Sequence, residues 1–190
     1  VDVILEGWLL GQAGGGAIAD LLFGVVAPSG RLAETIPLRL QDNPSYLNFP
    51  GEAGHVRYGE GVFVGYRGYD ALAREVSHPF GHGLSYTTFD YADLRTEVTG
   101  RHEDGDLAVT VGCAVTNTGE RAGADVPQLY LTSAAGDRRM RLLGFERVAL
   151  EPGESRPVTL TADPRLLARF DAGAGRWHVA AGTYGVAVGR

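Results

Sequence analysis

The sequence predicts two regions of different class: an α/β portion over residues 1–88, then an all-β, immunoglobulin-like sandwich over residues 89–190. Three observations predict it. The chain opens on an apolar run, a glycine cluster and a short amphipathic stretch. A long segment follows in which neither a strand nor a helix period survives. From about Phe89 the pattern turns to short alternating strands separated by regular turns.

Length and composition narrow the function classes. A chain of 190 residues holds one large or two small domains. Its net charge of −6, and a basic cluster no longer than Arg138-Arg139 with Arg141, argue against nucleic acid as a partner. No apolar stretch reaches the length of a membrane-spanning helix, so no membrane partner is expected. Cys113 stands alone, which rules out an internal disulfide and a multi-cysteine metal site. Because the chain begins on Val1 in what reads as a strand, without a signal peptide, it is expected to be a fragment of a longer protein.

Val1 to Leu10 reads as a buried strand. Gly11 to Gly16 then turns the chain into a helix with Ile18, Leu21 and Leu22 on one face, and Gly24 stands where a left-handed cap is wanted. Glycines between a strand and a helix can cradle a phosphate. Here the third glycine of the dinucleotide fingerprint is missing, and close packing of helix on strand is the preferred reading. Pro28-Ser29-Gly30 is a turn leading to Arg31–Ile36.

Residues 38–61 are broken by Pro44, Pro50, Gly51 and Gly54, yet they carry Tyr46, Phe49 and Tyr58. Those rings either floor a sugar-binding cleft or anchor the loop to the sheet. Val62 to Tyr69 is expected to be a strand, with Arg67 either a solvated edge charge or a buried partner of Glu60. Asp70 to Ser77 is a polar connection. His78 and His82 are four apart, but Pro79, Gly81 and Gly83 oppose the helix a zinc pair needs, and no metal is expected. His55, His102 and His178 show no ligand-like spacing.

The second region reads strand by strand. Leu107, Val109, Val111, Cys113 and Val115 alternate with smaller or polar residues, and Cys113 is expected to be a buried, inert thiol. Asp125–Thr132 and Arg141–Leu150 are further strands, and Val158, Leu160 and Ala162 alternate inward. Asp163-Pro164 predicts one helical turn, with Asp163 as its cap. Trp177–Val179 and Tyr184–Val188 close the set, with Trp177 and Tyr184 expected as core anchors. About seven short strands with regular turns predict the sandwich.

Several motifs, in this order and spacing, carry a resemblance. They are Gly11-Gln12-Ala13-Gly14-Gly15 with Ala19–Gly24, Pro28-Ser29-Gly30-Arg31-Leu32, and Ser45–Gly51. Tyr58-Gly59-Glu60-Gly61 through Arg67, Pro79–Tyr86, Gly144–Val148 and Gly182-Thr183-Tyr184 follow. Together they resemble the C-terminal part of a family 3 glycoside hydrolase, the β-glucosidase group. Ala13, Ala33 and Arg138-Arg139 depart from the family's usual Glu, Pro and Arg-Pro.

The resemblance implies that residues 1–88 are the end of an α/β sandwich domain and residues 89–190 a fibronectin type III-like domain. It implies a β-glucoside or related glycoside as the parent's substrate, no cofactor, and both catalytic carboxylates upstream of Val1. The missing barrel and sandwich segments are then the chain's partners. Retaining hydrolysis needs two carboxyls about 5–5.5 Å apart, and no pair in the sequence can be assigned to that geometry. Tyr46, Phe49, Glu52, Tyr58 and Glu60 are the substrate-cleft candidates, with loop anchoring as the alternative for the two acids. A non-catalytic carbohydrate-binding or domain-docking module is the rival reading of the whole chain.

Overall fold

The computed structural model describes residues 3–101 and 107–189. Val1, Asp2 and His102 lie outside them.

Residues 3–13 form no strand. An apolar run becomes a buried strand only beside a partner, and here Val3, Ile4 and Leu9 stand in solvent. Helix α1 spans Gly14–Leu22. Of the glycine cluster only Gly14 is needed for packing: a Cβ there would come within 2.7 Å of the Leu10 Cβ, whereas Gly11, Gly15 and Gly16 face open space. The helix ends as its sequence requires. Gly24 takes φ +69°, its N–H donates to the Leu21 carbonyl, and the Val25 N–H reaches back to Asp20.

Short strands β1 (Ile36–Pro37) and β2 (Val76–His78) pair antiparallel, so part of the expected polar connection is strand. The expected strand over Val62–Tyr69 is instead a turn running into helix α2, Tyr66–Ala71. Gly65 at φ +54° redirects the chain there, and Gly68 lies too close to the Phe63 carbonyl and Pro44 for any side chain.

The second region is the sandwich. One sheet runs β3 (Phe89–Thr99), β4 (Ala108–Asn117), β9 (Ser155–Ala162). The other runs β12 (Tyr184–Gly189), β6 (Gln128–Ala134), β7 (Asp137–Phe145). The pairs β5 (Gly123–Asp125) with β8 (Val148–Leu150), and β10 (Arg169–Asp171) with β11 (Arg176–His178), complete it. Alternation decides what is inside: Val111, Cys113 and Val115 from one sheet meet Leu129, Leu131 and Leu143 from the other, with Val158 and Leu160 beside them. Burial pushes the Cys113 thiol pKa up, in keeping with an inert thiol.

Two expected strands are each split. Asp125–Thr132 breaks at the fully buried Pro127, which has no N–H for a ladder, and Arg141–Leu150 breaks at Glu146-Arg147. Asp163 caps its turn by accepting from the Arg165 N–H at 2.9 Å. Tyr184 packs against the core, but Trp177 does not belong to it. The indole is 63% exposed on the two-stranded β10–β11 ribbon, edge-on to Phe170 at 5.5 Å.

A buried clamp joins the two regions. Asp125 is fully buried, and one carboxylate oxygen accepts from the Arg31 guanidinium and from the Val126 N–H at 2.9 Å. Its other oxygen accepts from the Tyr91 hydroxyl at 2.9 Å. Arg31 also donates to the Gly83 carbonyl. Beside the clamp, the Leu32 N–H donates to the His82 carbonyl and the Gly81 N–H to the Leu32 carbonyl, each at 2.8 Å. Arg121 donates to the Gly24 carbonyl, Arg138 pairs with Asp70, and the Leu142 N–H donates to the Tyr66 hydroxyl at 2.9 Å.

Candidate functional site

The candidate cleft residues all lie on the loop between the short helical turn Leu40–Asp42 and α2. The loop is pinned at its base. Asp42 is buried and takes Arg39 at 2.9 Å and Arg74 at 3.2 Å; the Arg39 hydrogen bond is the main cause of its lowered carboxyl pKa. Above this base, the Asn43 side chain accepts from the Ser45 N–H and hydroxyl, starting the turn that carries Tyr46. The Phe49–Pro50 peptide is cis.

The five candidates are treated differently by the fold. Glu60 is held by Asn48, whose side-chain amide donates to it at 2.8 Å, so the acid braces two arms of the loop. Glu52 and His55 exchange two backbone hydrogen bonds in a minimal hairpin that leaves the Glu52 side chain exposed. Phe49 and Tyr58 stand largely in solvent, and Tyr46 is exposed. The structure makes no Arg67–Glu60 pair. Arg67 reaches the Val62 carbonyl at 3.4 Å, and its Nε is buried without a hydrogen-bond partner.

Two cavities lie elsewhere, and sequence reasoning singled out neither. The first, about 430 Å³, opens between the regions and is lined by Tyr66, Tyr69, Phe80, Tyr130, Asp70 and Arg138 among others. Tyr66 stacks on Phe80 at 4.7 Å. Burial, helped by Tyr66, pushes the Tyr130 hydroxyl pKa up to about 12. Its single acid, Asp70, is engaged by Arg138, so the cavity does not supply a pair of free carboxylates. The second, about 650 Å³, is lined by Arg67, Arg141, Arg165, Asp163 and Trp177 with neighbouring apolar groups. None of the five loop candidates lines either one. Among the described residues no three His, Cys, Asp or Glu side chains gather as metal ligands. No helix there is long and apolar enough to cross a membrane.

The class that the fold defines is a helix-bearing α/β segment clamped to a two-sheet, immunoglobulin-like sandwich. Comparison gives the family. Residues 1–66 match the glycosyl hydrolase family 3 C-terminal domain, and residues 125–190 match the fibronectin type III-like domain. The chain matches the C-terminal part of the family 3 glycoside hydrolases.

It is 47% identical to thermostable beta-glucosidase B of Acetivibrio thermocellus, over 100% of this chain and 25% of that protein. It is also 47% identical to an exo-alpha-(1->6)-L-arabinopyranosidase of Bifidobacterium breve, over 98% of this chain and 24% of that protein. The crystal structure of the Bifidobacterium adolescentis GH3 beta-glucosidase superposes with a TM-score of 0.88 at 48% identity, over 97% of this chain and 27% of that one. The chain thus spans about a quarter of the length of the curated relatives it matches.

Proposed function

We propose that this chain is the C-terminal part of a retaining β-glucosidase-type hydrolase that removes terminal β-linked glucosyl residues through a covalent glycosyl-enzyme. In this reading residues 1–88 are the end of an α/β sandwich domain, and residues 89–190 are the fibronectin-like domain that buttresses it. Segments upstream of Val1 supply the nucleophile and the acid/base. The loop residues Tyr46, Phe49, Glu52, Tyr58 and Glu60 form part of the cleft rim.

The observation that carries the reading is the uneven exposure of the first region. Leu9, Phe23, Leu47 and Tyr58 lie mostly in solvent, while the sandwich is closed around its own core. Apolar side chains in such number mark a surface made for contact, here with the rest of a hydrolase. The shared identity with β-glucosidases supports the activity. An equally similar relative named for arabinopyranoside cleavage keeps the choice of sugar with the upstream segments.

The test is turnover of an aryl β-glucoside by the 190-residue chain and by the product of its full reading frame. The full product is expected to hydrolyse the glucoside and the chain to be inert. Turnover by the chain alone, abolished in Glu60→Gln, would overturn the assignment.

A further inference from the structure

The cavity of about 650 Å³ takes no part in the reading above, and its chemistry is distinct. Four elements meet there. Arg67 comes from α2, Arg141 from β7, Arg165 from the turn after β9, and Trp177 from β11. The site therefore exists only when the two regions are docked. We propose that this cavity binds a carboxylated sugar, a uronate ring, with its carboxylate on the arginines and its ring against Trp177.

Charge is the first argument. The chain as a whole carries −6, yet this cavity holds three guanidiniums and one carboxylate. That carboxylate, Asp163, is already spent on its neighbour: it takes Nε of Arg165 on both oxygens at 3.0 Å, and a second guanidinium nitrogen at 2.6 Å. Among the described residues, no acid pairs with Arg67 or Arg141. Arg141 gives one nitrogen to the Leu166 carbonyl at 2.7 Å, and its pKa is lowered by burial and then by the like charges of Arg67 and Arg139. An anion seated among them relieves that repulsion.

Unmet hydrogen bonding is the second argument. The Nε of Arg67 is enclosed by protein, so a ligand would meet the terminal nitrogens, one of which has only the weak 3.4 Å contact with the Val62 carbonyl. A guanidinium fork matches a carboxylate in two parallel bonds. The ligand's apolar half is argued from Trp177. It lines the cavity while most of its surface stays in solvent, and its ring is steadied by Phe170. A flat aromatic surface beside a cationic fork suits a pyranose ring that bears an acid. The volume falls within the ~300–1,000 Å³ of ligand pockets.

The experiment titrates the 190-residue chain at low salt with glucuronate, glucose and inorganic phosphate, followed by calorimetry and by indole fluorescence. Glucuronate is expected to bind saturably and glucose not to bind at the same concentrations. Arg67→Gln should weaken glucuronate by about tenfold, the value of one charged hydrogen bond. Arg165→Gln should weaken it measurably; Arg165 is exposed, so this variant reports on the site even if Arg67→Gln unfolds. Trp177→Ala should reduce glucuronate binding and leave phosphate binding alone. Absence of saturable glucuronate binding, or glucose binding as tightly, overturns the proposal. Phosphate binding as tightly, with Trp177→Ala without effect on glucuronate, overturns it too, by making the cavity a plain anion site.

Discussion

Residues 107–189 and residues 3–88 make opposite use of their apolar side chains. In the sandwich, Val111, Val115, Leu129 and Leu131 are completely enclosed by the two sheets of one chain. In the first region Val3, Leu9, Phe23, Val25 and Leu47 face water, and Tyr69 is the only large apolar side chain there that is buried among the described residues. The difference teaches that one region carries its own closing partner and the other does not. What keeps the first region in place is a set of polar links to the second, with Arg31–Asp125 at their centre.

The sharpest way to break this contrast is to remove the clamp. Asp125→Ala leaves the Arg31 guanidinium uncompensated in a nearly buried site, and stability should fall by about 3–5 kcal/mol in urea unfolding. A loss under about 1 kcal/mol, the range of exposed ion pairs, would show that the regions are joined some other way. Next comes the core itself. Leu131→Ala should cost about 2–5 kcal/mol, measured by the same unfolding.

Hydrogen exchange sharpens the comparison without mutation. The amides of Val111 and Val115 lie on a central strand paired at those positions with β3 and with β9, and should exchange only with global unfolding. Those of Asn48, Phe49 and His55, bonded only within local turns, should exchange orders of magnitude faster. Comparable protection in both sets would remove the distinction.

A subtler effect is expected from pH. Burial, then the charges of His78 and Arg31, lower the pKa of His82 below its ordinary value. The unfolded chain then binds the proton more readily, so this contribution is present above the unfolded pKa of about 6.5 and fades as pH falls through the folded value. His82→Gln should flatten that part of the stability–pH curve, while its backbone carbonyl still receives Leu32. The smallest effect is expected at Leu9→Ala, where the side chain touches little: about 0.5 kcal/mol or less in the chain. A loss matching Leu131→Ala would mean that the first region has a core of its own.

Legibility followed the same divide. Period-2 alternation identified β4 and β9 because both of their burial patterns arise within the chain. The Gly24 cap and the Asp163 cap were readable because each depends on neighbours a few residues away. Over residues 3–10 the expected strand is absent because an apolar run names a buried strand without naming the strand it would lie beside. Val62–Tyr69 shows alternation too, but the backbone turns at Gly65 and the close approach at Gly68 outweighs it. Trp177 reads as a core anchor on size alone, yet it lies on a two-stranded ribbon that leaves the indole in solvent. Of the candidate site, the sequence points to Glu52 and Glu60 only through their place on the aromatic loop. The Asn48–Glu60 brace and the convergence of Arg67, Arg141 and Arg165 were not legible, since contacts so distant in sequence leave no local pattern.

The separation of Arg31 and Asp125 by 94 positions has a consequence for biosynthesis. At roughly 5–20 residues per second, the ribosome delivers the aspartate about 5–20 seconds after the arginine. During that interval the leading segment has emerged with its greasy side chains uncovered and no counter-ion to dock against. Nascent chains stalled between these two positions should therefore be bound by holding chaperones more strongly than chains stalled beyond β9.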